Sequence, residues 1–141
     1  MAETELTCRF VRPDKLVFEG RIKSLVLATV DGELGVWPGH SPLICALGDG
    51  IVRLNRLEEF GGTTRRIIIS GGYAEVENDE VVILANHARA LDDIDIQTVK
   101  ETKELAVRNL DQYPEGDNNR AYYQNKIKWC DMLLEHAHDL D

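Results

Sequence analysis

Hydrolytic or metal chemistry in this chain would have to reside on a few histidines, serines and acids, and their spacing does not assemble a site. His40 and Ser41 are adjacent, which sends their side chains apart, and no acid stands where it would orient the imidazole of a nucleophile–base pair. Ser70 follows Ile68 and Ile69 and so lacks the Gly-x-Ser-x-Gly elbow. His136 and His138 look like a metal pair, but positions i and i+2 of a helix face different ways, and zinc would need ligands from elsewhere. The pair reads as an exposed helix end, and His87 as a linker residue near the end of the last strand. Asp92, Asp93 and Asp95 read as helix N-terminal capping, where carboxylates meet the positive end of the dipole. No Gly-x-x-x-x-Gly-Lys-Ser/Thr run offers a phosphate cradle, and Gly61-Gly62 and Gly71-Gly72 read as hairpin turns. Elimination leaves a binding part, with no catalytic residue, metal site or cofactor expected.

The segment most shaped for binding runs from Asp31 to Leu43 with the sequence Asp-Gly-Glu-Leu-Gly-Val-Trp-Pro-Gly-His-Ser-Pro-Leu. Glycine admits positive φ and close backbone approach, while proline fixes φ and removes a donor. The backbone is thereby forced through tight turns that carry Glu33, Trp37 and His40. Such a stretch is poor core material and good surface material.

Composition narrows the partners. The formal net charge of -9 argues against nucleic acid, whose phosphates need a basic face, and against adsorption to an anionic membrane. There is no run of about eighteen apolar residues, so no membrane insertion is expected. The acidic start, Met-Ala-Glu-Thr-Glu, does not read as a signal peptide. Cys8, Cys45 and Cys130 are far apart and make no Cys-x-x-Cys; they read as small buried hydrophobes in a reducing compartment. A length of 141 residues with 43% hydrophobic content suits one domain with an appendage.

The elements that must position the loop fall into two regimes. Residues 1–90 alternate with the period of half-buried strands, as at Leu6, Cys8 and Phe10, and turn signals recur at Pro13-Asp14, Asp31-Gly32, Gly48 to Gly50 and Asn78-Asp79. About eight or nine short strands with turns roughly every eight to twelve residues predict an antiparallel sandwich or flattened barrel. From residue 91 the period becomes helical. Ile96, Val99, Ala106 and Leu110 share a stripe interrupted by Lys103, with Asp95 or Thr98 as the cap. Pro114 and Gly116 stop that helix, and Asp117 or Asn118 caps a second. Its apolar positions Tyr123, Ile127, Cys130, Leu134 and Ala137 form a narrow seam for one partner helix. The 91–141 segment is thus predicted to be an antiparallel helical hairpin, and the whole chain α+β.

Four stretches resemble the epsilon subunit of bacterial F-type ATP synthase: Arg12 to Gly20, Asp31 to Leu43, Ser70 to Val76 and Val81 to Ala85. Order, spacing and the boundary before the helices agree as well. The resemblance implies a β-sandwich of about ten short strands and a two-helix hairpin in the rotor's central stalk, peripheral on the cytoplasmic face of the bacterial membrane. The sandwich would bind the gamma subunit and the c ring, coupling them for proton-driven synthesis. The hairpin would be a regulatory element able to reach the catalytic alpha and beta subunits and restrain hydrolysis. Carried onto this sequence, Glu33 and His40 would face the ring's polar loops, and Pro38 and Gly39 would shape the turn. Trp37 suits an interface anchor or core filling, and Val36 and Leu43 would support the loop or touch gamma.

Two departures bear on regulation. Members that sense ATP carry Ile/Leu-Asp-x-x-Arg-Ala; here Ile94 and Asp95 remain, but Thr98 stands in place of the arginine. Losing a guanidinium removes a bidentate, charge-assisted phosphate contact, so the alternative reading of an ATP-binding sensor is disfavoured. Inhibitory members usually have a basic second helix. Residues 92–141 hold six bases against twelve acids, leaving Arg120, Lys126 and Lys128 as the candidate basic patch.

Overall fold

The computed structural model describes residues 4–137. The chain divides into two compact units, Met1–Ala90 and Leu91–Asp141. Among the described residues, no helix is long and apolar enough to cross a membrane.

Among the described residues seven strands build the first unit: β1 Leu6–Arg12, β2 Lys15–Thr29, β3 Gly32–Val36, β4 Leu43–Ala46, β5 Asp49–Arg56, β6 Thr64–Glu77 and β7 Glu80–Ala90. Fewer form than the eight or nine expected, because β2, β6 and β7 are long and each serves both layers with separate halves. One layer runs β4–β6–β7–β1–β2, and the other runs β3–β2–β5–β6–β7. Seven continuous strands therefore fill the places of about ten short ones in a two-layer sandwich. All pairings are antiparallel except β1 with β7, which is parallel.

Gly71 and Gly72, expected to form a hairpin turn, instead lie inside β6. Ile67 and Ile69 point inward before them, and Ala74 and Val76 after them, so the inward phase shifts by one while the register with β7 holds. A one-residue phase shift exchanges the faces of a strand, which lets β6 bend from β5 to β4. Gly72 makes this possible: its φ is 121°, and a Cβ there would lie 2.0 Å from the Leu84 carbonyl oxygen. His87, expected in a linker, falls within β7, because the strand continues through the same bend.

The interior is filled by Leu6, Cys8, Phe10, Ile22, Leu25, Leu27, Val52, Leu54, Ile67, Ile69 and Ile83, all essentially without exposure. Burial pushes the Cys8 thiol up to about 12, so it stays a neutral hydrophobe. Ser24, the buried polar residue of this region, accepts from Asn55 Nδ2 at 2.9 Å.

In the second unit, α1 spans Ile96–Leu110 and α2 spans Asn118–His136. Asp95 caps α1 by accepting from the Thr98 amide, and Asp117 caps α2 by accepting from Asn119. Lys103, the interruption of the α1 stripe, reaches across to Asp131 on α2 at 2.6 Å. Along α2 and its C-cap the expected Cys130 and Ala137 are buried, and Leu133 is buried in place of Leu134, which is only half-buried. Tyr113 in the turn stacks on Tyr123 of α2.

Candidate functional site

The Asp31–Leu43 segment builds β3 and the turn after it, and its side chains divide by the pleat. Val36 pairs with Leu25 and is fully buried, which of its two expected roles fits support of the loop from the core. Glu33, on the opposite face, is exposed and forms an ion pair with Arg53 of β5. Leu43, the first residue of β4, packs half-buried against the core. Trp37 is 59% exposed, so it is not core filling. Pro38 and Gly39 make the tight turn that their types require: Gly39 has φ 88°, and the His40 amide donates to the Trp37 carbonyl at 3.1 Å, a type II arrangement. His40 Nδ1 donates to the Ser41 carbonyl at 2.7 Å. Glu33 and His40 lie beyond opposite ends of β3's Leu34–Val36 stretch, and the structure does not bring them together.

The turn is held from a distance. Asn78 and Asp79 form the β6–β7 turn with φ of 51° and 60°, the left-handed pair of a tight hairpin. Asp79 Oδ1 accepts from the Gly39 amide at 2.7 Å.

A second feature was not singled out in the sequence. Paired residues on neighbouring strands share a face of the sheet. Ala46 stands opposite Tyr73, Tyr73 opposite Leu84, Leu84 opposite Val11, and Val11 opposite Leu16. The outer face of this layer thus carries one apolar row, and the row beside it mixes Ile44 and Val82 with Glu75, Arg9 and Glu19. Ile44 is 73% exposed, and Tyr73 and Leu16 are each 50% exposed. The signal was present: Leu43 to Ala46 is apolar at every position, whereas a strand with one wet face alternates.

The hairpin residues are dispersed. Arg120 Nη1 donates to the carbonyls of Leu110 and Tyr113, closing the end of α1, so it leaves the candidate basic patch. Lys126 lies over the Tyr122 ring, and Lys126 and Lys128 sit about 200° apart around the helix. Asp95 is occupied as a cap and Ile94 is half-buried. A groove of about 370 Å³ at the hairpin turn is lined by Glu115, Asp117, Asn118, Arg120 and Gln124, with two acids beside one base. Among the described residues, no group of three or more His, Cys, Asp or Glu is placed to hold a metal ion. His136 ends α2, and His138 lies outside the described residues.

A sandwich with an outward apolar row and a tethered turn presents surfaces of the kind that a subunit offers to its partners. The family model for the ATP synthase delta/epsilon chain β-sandwich domain matches residues 5–91, and the chain belongs to this family. Its relatives there are epsilon chains. That of Prochloron didemni is 38% identical over 119 residues, covering 84% of this chain and 85% of the relative. That of Halalkalibacterium halodurans is 41% identical over 102 residues, covering 72% and 74%. The fold is also that of a chain in the Euglena gracilis mitochondrial ATP synthase, with TM-score 0.68 and 23% identity over 96% of this chain and 82% of that one. A chain of the Tetrahymena thermophila enzyme's central stalk and c-ring structure gives 0.52 and 12%, over 97% and 99%. As an epsilon chain, the protein is a non-catalytic subunit of ATP synthase.

Proposed function

We propose that this chain is a central-stalk subunit whose sandwich joins the gamma subunit to the membrane c ring and couples their rotation during proton-driven synthesis. The observation that carries the reading is the outward apolar row through Ala46, Tyr73, Leu84, Val11 and Leu16, with Ile44 beside it. An exposed apolar row of this kind marks a surface that a partner covers. Gamma is the partner for this face, and the Trp37–His40 turn together with Glu33 meets the polar loops of the ring. Charged groups there set register and orientation more than affinity. The subunit is held peripherally, on the cytoplasmic face of the bacterial membrane, by the ring and not by insertion.

The hairpin supplies a regulatory contact with the catalytic alpha and beta subunits, restraining hydrolysis. Lys126 and Lys128 are the bases proposed for that contact, with Arg120 bonded to the end of α1. ATP sensing is not favoured by any observation: Thr98 replaces the phosphate-binding arginine, Asp95 is a cap, and the groove at the turn is flanked by acids.

Pull-down with the gamma subunit tests the coupling role, and no complex at micromolar concentration would sink it. A Glu33→Ala, His40→Ala double variant should lower proton-driven synthesis more than soluble hydrolysis; equal loss of both would remove the ring-facing assignment. Ending the chain before Asp92 should raise hydrolysis by the reconstituted enzyme, and unchanged hydrolysis would end the regulatory assignment.

A further inference from the structure

We propose that Asp79 is the positioning residue of the Trp37–His40 turn, holding it in the conformation that meets its partner through the bond from the Gly39 amide. The inference rests on the reading of that turn as the ring-facing contact. The turn is flanked by apolar supports, Val36 in the core and Leu43 against it. Between them Trp37 is 59% exposed, so burial of the largest side chain does not hold the turn in place. The turn closes on itself through His40 N–H and the Trp37 carbonyl, but that bond moves with the turn and does not locate it on the sandwich. The Gly39 amide does locate it, by donating to Asp79 Oδ1 at 2.7 Å across forty positions of sequence.

Asp79 is itself firmly placed. Its φ of 60° is the left-handed conformation that aspartate and asparagine tolerate better than most residues. Its carbonyl accepts from the Thr7 amide at 2.9 Å. One residue therefore joins the start of β1, the β6–β7 turn and the interface turn. The chemistry of the tether is a carboxylate on a backbone amide, a charge-assisted bond of the stronger class.

The test separates the tether from the backbone turn. Asp79→Gly keeps the left-handed backbone and removes the acceptor; Asp79→Asn keeps both the conformation and a neutral acceptor oxygen. In the full chain, Asp79→Gly should speed amide exchange at Gly39 about tenfold, with Asp79→Asn returning it to within about threefold of the native rate. The melting temperature should stay near native in both. Binding to the purified c ring should weaken about tenfold in Asp79→Gly and recover in Asp79→Asn, while gamma binding is unchanged in either. Unchanged Gly39 exchange in Asp79→Gly overturns the tether. Faster exchange with unchanged ring affinity overturns the positioning role and counts against the ring-facing reading of the turn, while leaving the bond intact.

Discussion

Replacing Ile44 with alanine probes the apolar outer face directly. Ile44 lies on β4 opposite Glu75 and is 73% exposed, so nearly all of its side chain is available for burial by a partner. Covering an isoleucine stabilises an interface by about 1.5–3 kcal/mol, and the alanine methyl retains only the smaller part, so the loss is about 2 kcal/mol. That corresponds to roughly a thirtyfold weaker dissociation constant for gamma. The folded state has little to lose, because the side chain makes no core contact; a change in unfolding free energy under about 1 kcal/mol is expected. Calorimetric titration against gamma, with thermal unfolding alongside, reads both quantities. Val30→Ala serves as the control, since Val30 is 63% exposed in the turn between β2 and β3, outside both rows. It should change gamma affinity less than about twofold. A dissociation constant for Ile44→Ala within about threefold of native would refute the assignment of this face.

Other consequences follow from the same geometry. Gly72→Ala places a methyl 2.0 Å from the Leu84 carbonyl oxygen at φ 121°; backbone strain and overpacking together should cost about 4 kcal/mol in urea unfolding, and a loss below about 1 kcal/mol would contradict the described bend. Glu33→Gln breaks an ion pair with Arg53 whose members are 58% and 42% exposed, so stability should change by no more than about 1 kcal/mol. Any larger fall in ring affinity then belongs to the contact. His87 is held below its ordinary value of 6.5, first by partial burial and then by the Arg12 guanidinium, with Asp49 opposing. The unfolded chain therefore takes up this proton at higher pH than the folded chain. Its contribution is intact above 6.5 and is lost as pH falls through the folded value. His87→Gln should flatten the decline in urea midpoint as pH falls below 6.5, and an identical slope would refute it. With an alkylating reagent, Cys45 should react before unfolding and Cys8 only after it, because Cys8 is fully buried and its thiol is pushed up to about 12; early loss of Cys8 by mass spectrometry would contradict that burial.

Local periodicity and capping were legible in the sequence because they depend on near neighbours. The Pro13-Asp14, Asp31-Gly32 and Asn78-Asp79 turns, the Asp95 and Asp117 caps and the Pro114 stop all belong to this kind. What depended on distant partners was not legible. Gly71-Gly72 reads equally well as a turn or as a bend within a strand, since positive φ serves both; only the continued register with β7 decides. Val36 and Trp37 are adjacent, and whether either faces a partner depends on the pleat of β3 against β2, which places Val36 inward. Lys103 seemed to spoil a helical stripe until Asp131 supplied its partner. Arg120 seemed free to bind outward until the end of α1 claimed it. Asp79 carries no local signal for its bond to Gly39, forty positions away.

The parallel pairing of β1 with β7 has a consequence for how the protein is made. Thr7 pairs with Glu80 and Val11 with Leu84, so β1 must wait for β7, translated well after it, before it has both neighbours. β1 and β2 can form a hairpin early, since Arg12 and Lys15 meet across a tight turn. The other side of β1 stays an open edge while the residues up to Leu84 are translated at about 5–20 per second. An unpaired edge recruits other chains, and distant pairings also close slowly. Nascent copies are most exposed to mispairing during that interval, and a chaperone that shields β1 would act on the sandwich before any partner subunit can.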